Sequence, residues 1–169
     1  MPLAVIGYQA IVTAPGFALG VSCSANEIIA IDFLPPGPGQ APSTALATEA
    51  VRQFDAYLAD PSHRFTLPLR PAGTAFQRQV WAEIAAIPPG QTRTYGQLAK
   101  NIHNAARAVG QACGANPYPL LLPCHRVVAS HGTGDQKLGG FNHQRDGLLL
   151  DIKRWLLHHE APHGRYPAG

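Results

Sequence analysis

Proline and glycine cut this chain into short pieces, and that punctuation limits the possible folds more than any other feature of the sequence. Sixteen prolines and 17 glycines are spread over 169 residues. Several cluster where neither a helix nor a central strand can pass, because proline fixes φ and removes a backbone donor. Pro35-Pro36-Gly37-Pro38-Gly39, Pro88-Pro89-Gly90 and Asn116-Pro117-Tyr118-Pro119 each force a loop. Before the first cluster, residues 4–12, 17–23 and 28–34 are apolar runs rich in Val and Ile, with alternation in the second. They predict a meander of three strands. Ser43 is positioned to cap a helix to about Leu58, with Leu46, Val51, Phe54, Tyr57 and Leu58 near helical spacing. Residues 65–69 read as an extended connector.

Beyond residue 72 the pattern turns helical. Thr74 can cap a helix to about Ala86 that keeps Phe76, Val80, Trp81 and Ile84 on one side. A short helix over 95–102 and another over 105–114, capped by Asn104, lie either side of a tight turn and form a helix-turn-helix candidate. A last helix over 148–159 carries Leu149, Ile152, Trp155 and Leu156. The predicted class is α+β. Residues 1–71 make a small antiparallel sheet with a helix, and 72–169 make a mostly helical, winged-helix-like domain.

Charge divides at the same place. Residues 1–71 hold three basic and five acidic side chains, net −2, whereas 72–169 hold ten basic and five acidic, net +5. An excess of cations in the second half suits a phosphate backbone; an ordinary solvated basic surface explains it equally well. No apolar run reaches the ~18 residues of a membrane span. The first basic side chain is Arg52, so the start lacks the pattern of a secretory signal. Cys23, Cys113 and Cys124 are an odd set without framework spacing, which fits a reducing compartment. A cytoplasmic protein, nucleoid-associated when on DNA, is expected.

The chemistry concentrates at Pro123-Cys124-His125-Arg126-Val127-Val128. A cysteine reacts well at neutral pH only where its surroundings favour the thiolate, and His125 and Arg126 could supply positive charge. The second helix of the helix-turn-helix, residues 105–114, is nearly all small side chains. It cannot fill a major groove with base-reading groups, but its backbone can approach another surface closely, with Arg107 as its one long probe. Tight packing inside a core is the alternative, although an arginine among alanines is a strange core. Insertion into a narrow groove accounts for both features.

Further segments join these in a recognisable order. Thr74-Ala75-Phe76-Gln77-Arg78-Gln79-Val80-Trp81 precedes Ile87-Pro88-Pro89-Gly90-Gln91-Thr92-Arg93-Thr94-Tyr95-Gly96-Gln97-Leu98-Ala99. Ala106-Arg107-Ala108-Val109-Gly110, Asn116-Pro117, the Cys124 segment and Lys153-Arg154-Trp155-Leu156-Leu157-His158-His159-Glu160 follow. Together they resemble the O6-alkylguanine-DNA alkyltransferases over residues 74–160, about half the chain. The resemblance implies a single-use repair protein that moves an alkyl group from guanine O6, and from O4-methylthymine, onto its own Cys124. It implies that His125, acting through a water and oriented by Glu160, takes the thiol proton, and that Asn116 holds the turn before the cysteine. Tyr95 would press the target phosphate and protonate the departing guanine. Arg107 would replace the extruded nucleotide, with Thr94, Ala106, Ala108, Gly110 and Arg126 also at the DNA. Pro119, Val128 and Phe141 would line the alkyl pocket. The implied partner is alkylated double-stranded DNA, held through its minor groove by a monomer, with no cofactor and no membrane.

Where this family usually has a Tyr followed by small residues, the chain has Gly139-Gly140-Phe141-Asn142-His143. The aromatic face remains, the hydroxyl does not, and a narrowed pocket is expected: methyl transfer, with poor reaction of a benzyl adduct. Two other readings stand beside the suicidal transferase. One is an alkylated-DNA-binding, lesion-signalling protein that does not transfer; the other is a helix-turn-helix regulator in which Cys124 is structural. No metal site is expected, since His158, His159 and His163 read as a solvated helix end and only Cys23 and His63 could serve as Cys or His ligands before residue 72.

Overall fold

The computed structural model describes residues 7–130, 138–140 and 147–161. The expected loop over 131–137 and 142–146, Phe141, His163 and the beginning of the first expected strand lie outside them. The chain divides into two compact units, Met1–Pro71 and Ala72–Gly169.

In the first unit β1 (Ala10–Ala14), β2 (Phe17–Cys23) and β3 (Ile28–Leu34) form an antiparallel sheet in the order β1-β2-β3. The first strand runs to Ala14 rather than stopping at Val12, because Pro15-Gly16 is a complete turn: Gly16 takes φ 83 and Ala14 pairs with Phe17. The alternation expected in β2 does not survive. As the central strand it buries residues on both faces, Phe17, Ala18, Leu19, Gly20 and Val21 among them. Helix α1 (Ala45–Ala59) packs on β1 and β2. Its cap is Thr44, not Ser43; the Thr44 hydroxyl accepts from Ala47 N at 3.1 Å, while Ser43 N donates to Gln9 O. The buried face turns accordingly to Ala47, Ala50, Gln53, Phe54 and Tyr57. Gln53 is tolerated there because Thr66 satisfies it twice, Thr66 N donating to its Oε1 and its Nε2 donating to Thr66 Oγ1.

The second unit is built on helices with two tiny strands. Helix α2 (Ala75–Ala85) starts at a capping box in which Thr74 and Gln77 satisfy each other's backbone N–H groups. It buries Val80, Trp81 and Ile84, and the Trp81 indole donates to Ala112 O at 2.8 Å. The strand β4 (Arg93–Thr94) runs straight into α3 (Tyr95–Asn101), where Thr94 and Gln97 make a second capping box. A turn with His103 at φ 56 leads to α4 (Ala106–Gly114). Asn104 is not its cap: the N-cap is Ala105, and the Asn104 carboxamide accepts from Ala105 N at 2.8 Å instead. A single 3-10 turn (Cys124–Arg126) enters β5 (Val127–Val128), and α5 (Leu148–Glu160) follows. Strands β4 and β5 pair in parallel, Arg93 with Val127 and Thr94 with Val128. That pairing brings the start of α3 beside the cysteine turn. No helix among the described residues is long and apolar enough to cross a membrane.

Candidate active site

The cysteine sits on a turn that the chain cannot relax out of. Leu120 has φ 78, a left-handed conformation that a branched side chain seldom takes. It is locked by Leu122 N donating to Tyr118 O at 2.8 Å and Cys124 N donating to Leu122 O at 2.7 Å. Asn116 holds the same turn from within. Its Oδ1 accepts from Tyr118 N at 2.8 Å, and its Nδ2 donates both to Leu122 O at 2.9 Å and to Cys124 Sγ at 3.1 Å. The sequence suggested the first role; the direct contact with sulfur is new. A donor aimed at the sulfur stabilises negative charge on it.

His125 is fully buried and its Nε2 lies 2.7 Å from Glu160 Oε2. Arg126 reaches the same carboxylate, Nε to Oε1 at 2.8 Å and Nη2 to Oε2 at 3.0 Å, and its Nη1 donates to Ile87 O at 2.6 Å. Burial alone would raise the Glu160 carboxyl. His125 and the Arg126 fork outweigh it and hold Glu160 well below the usual carboxylate range. Burial pulls His125 below 6.5 despite the pull of Glu160 in the other direction. A neutral imidazole facing an ionised, acceptor-only carboxylate carries its proton on Nε2. Its Nδ1 therefore holds a bare lone pair, and that atom is buried with no hydrogen-bond partner among the described residues. This is the form a general base needs.

Arg126 is thus not where the sequence put it. It is 8% exposed and committed to Glu160 and Ile87, so it fixes the carboxylate rather than facing a phosphate. Thr94 is half-buried and its hydroxyl accepts from Gln97 N at 3.0 Å, capping α3. Arg107 and Ala106 are exposed in the first turn of α4, and Ala108 is half-buried. A Cβ on Gly110 would come within 3.9 Å of the Tyr95 ring, so that side of α4 abuts Tyr95. Pro119 and Val128 are buried.

A cluster that sequence reasoning missed surrounds Tyr95. Its hydroxyl donates to Gly140 O at 3.3 Å, and Gly139, at φ 71, lies so close that a Cβ there would meet the ring at 2.8 Å. Lys153 of α5 is completely buried; its ammonium donates to the carbonyls of Val127, Leu138 and Gly140 and lies 5.9 Å from the Tyr95 ring centre. Burial lowers it from 10.5 to about 7, against the opposing pull of Cys113 and Cys124. Its signal was present: Lys153 stands three residues before Leu156 and seven before Glu160, on the apolar stripe. Among the described residues no group of three His, Cys, Asp or Glu side chains converges as metal ligands would.

The family described as "6-O-methylguanine DNA methyltransferase, DNA binding domain" matches residues 75–162. A methylated-DNA–protein-cysteine methyltransferase of Methanosarcina acetivorans is 47% identical over 111 residues, which cover 64% of this chain and 65% of that protein. The match therefore spans a little under two thirds of that relative's length. The Mycobacterium leprae protein of the same name is 40% identical over 72% of this chain and 74% of its own. Among solved structures, the Mycobacterium tuberculosis O6-methylguanine methyltransferase superposes with a TM-score of 0.73 at 32% identity, covering 90% of this chain and 93% of that one. The M. tuberculosis OGT in complex with DNA gives 0.71 at 32% identity over 91% and 94%.

Proposed function

The chain belongs to the 6-O-methylguanine DNA methyltransferase family, and on that premise we propose that it reverses DNA damage directly, by moving a methyl group from guanine O6, or from thymine O4, irreversibly onto Cys124. The observation that carries the reading is the relay at the sulfur. Glu160, fixed by Arg126, sets the tautomer of His125 so that the lone pair of Nδ1 is left free on the residue next to Cys124. His125 takes the thiol proton through an intervening water. The sulfur attacks the methyl carbon, the carbon–oxygen bond breaks, and the electron pair leaves on the base. Tyr95 supplies a proton to that leaving base, and the Asn116 amide at 3.1 Å supports charge on the sulfur as it forms.

Cys124 is 3% exposed, so a base stacked in duplex DNA cannot reach it. The nucleotide must be extruded. In this reading Arg107 enters the vacated stack from the minor groove, and its exposure beside Ala106 supports that. The small side chains of α4 let the backbone come close, and the protein acts as a monomer. To test this, a duplex with one O6-methylguanine is incubated with the protein and the peptide containing residue 124 is weighed. The reading expects one methyl gained on Cys124 and none in Cys124→Ser; a methyl on another residue, or none, contradicts it.

A further inference from the structure

Transfer uses one sulfur, yet the site holds two. Cys113, on the last turn of α4, is 7% exposed and Cys124 is 3% exposed. Cys124 Sγ lies 3.6 Å from the Cys113 carbonyl oxygen, and the Cys113 side chain is near enough to Cys124 for that neighbour to hold its thiol protonated. Both are free thiols. We propose that Cys113 is a resolving thiol: a hydroperoxide oxidises Cys124, Cys113 closes a disulfide with it, and a dithiol reductant restores the acceptor. Cys23 is buried in the first unit against Thr44 Oγ1 at 3.7 Å.

The order of events follows from the contacts. The Cys124 sulfur attacks one peroxide oxygen, the oxygen–oxygen bond breaks, and Cys124 becomes a sulfenic acid while water leaves. Cys113 then gives up its proton and attacks the Cys124 sulfur; the sulfur–oxygen bond breaks, a second water leaves, and the disulfide forms. Two thiols lose two electrons and the peroxide gains them. While Cys124 is reduced, its hydrogen bond to Cys113, followed by burial, holds the Cys113 thiol protonated. Oxidation of Cys124 removes that bond. Burial still opposes the Cys113 thiolate, and the Lys153 ammonium favours it. Oxidation of the acceptor therefore removes the largest of the effects that hold Cys113 protonated. Without Cys113 a sulfenic acid proceeds to sulfinic acid, which common thiols do not reverse, and a protein used only once would be lost before use.

The experiment treats the full chain, reduced, with hydrogen peroxide under native conditions, blocks remaining thiols, and weighs the digest. We expect the wild type to yield a peptide joining residues 113 and 124 with two hydrogens lost. Two of its three thiols should disappear from titration and return with dithiothreitol. In Cys113→Ser, Cys124 should pass to sulfinic acid that dithiothreitol does not recover. No joined peptide in the wild type, or sulfinic acid appearing there as fast as in Cys113→Ser, overturns the proposal. The wild-type digest decides even if the variant folds poorly. Because the readout is a bond and not methyl transfer, a joined peptide in a protein that never accepts a methyl group would support this inference while sinking the function proposed above.

Discussion

Replacing Glu160 by Gln exchanges one carboxylate oxygen for an NH2 and so pits two neighbours against each other. The carboxylate accepts from His125 Nε2 and from Arg126 Nε and Nη2; an amide has one oxygen to offer. If that oxygen faces Arg126, the NH2 faces His125 and forces the proton onto Nδ1, which abolishes the base. If it faces His125, the NH2 is set donor against donor with the Arg126 guanidinium, which in either orientation loses its counter-charge. Breaking a buried pair from one side costs about 3–5 kcal/mol. Because the amide retains an acceptor and Arg126 keeps Ile87 O, we expect the lower end, about 3 kcal/mol. Both tryptophans, Trp81 and Trp155, lie in the second unit, so fluorescence during urea unfolding reports that unit alone. Glu160 is held below 4.5 in the folded protein. Its contribution is therefore complete above 4.5 and is lost only as pH falls through the lowered folded value, so the gap between variant and wild type should stay constant at neutral pH and close only in strong acid. On the folded variant, transfer should slow roughly 10⁴-fold, the scale of losing the base-orienting acid in a triad. A Glu160→Gln protein that folds as stably as wild type and transfers within about tenfold of its rate would refute the relay.

Four more outcomes follow from the same contacts. Arg107→Ala should leave stability unchanged, since the side chain is exposed, while slowing repair of duplex far more than reaction with free O6-methylguanine base. Lys153, lowered from 10.5 to about 7, binds fewer protons folded than unfolded between those values; stability should therefore rise with pH across that window, by up to about 1.4 kcal/mol per unit, and Lys153→Met should flatten the slope in denaturation series at several pH values. Gly139→Ala drives a Cβ to 2.8 Å from the Tyr95 ring at φ 71, and should cost about 1–3 kcal/mol and depress transfer, both measurable on one preparation. Methylated Cys124 adds volume to a buried turn, so melting after stoichiometric reaction should be lower than before it, by about 1–3 kcal/mol of stability; equal melting curves contradict this.

What the sequence disclosed depended on range. Capping hydroxyls, helix faces and the breakers are local, and Thr74, Val80, Trp81 and Ile84 were readable because periodicity is carried within one helix. Where two hydroxyls stood side by side the wrong one was chosen, Ser43 for Thr44. Strands β4 and β5 are two residues each, too short for any pattern, so the pairing that brings Tyr95 to the cysteine was invisible. Arg126 was misassigned because a cation's destiny depends on its acceptor, and Glu160 lies 34 positions away. Glu160 itself entered only through the resemblance. Lys153 had a usable signal, a charge on an apolar stripe, and Cys113 had none: nothing in the spacing of two cysteines says that one lies against the other.

The central claim is that one sulfur accepts one group and is then finished. It is tested most directly by offering the protein a large molar excess of duplex carrying isotopically labelled O6-methylguanine, and counting label bound per chain until uptake stops. The account predicts a plateau at one methyl per chain, all of it on Cys124, with the remaining lesions untouched. Continued loss of lesions after the plateau, or label released from the protein as a free product, would contradict it.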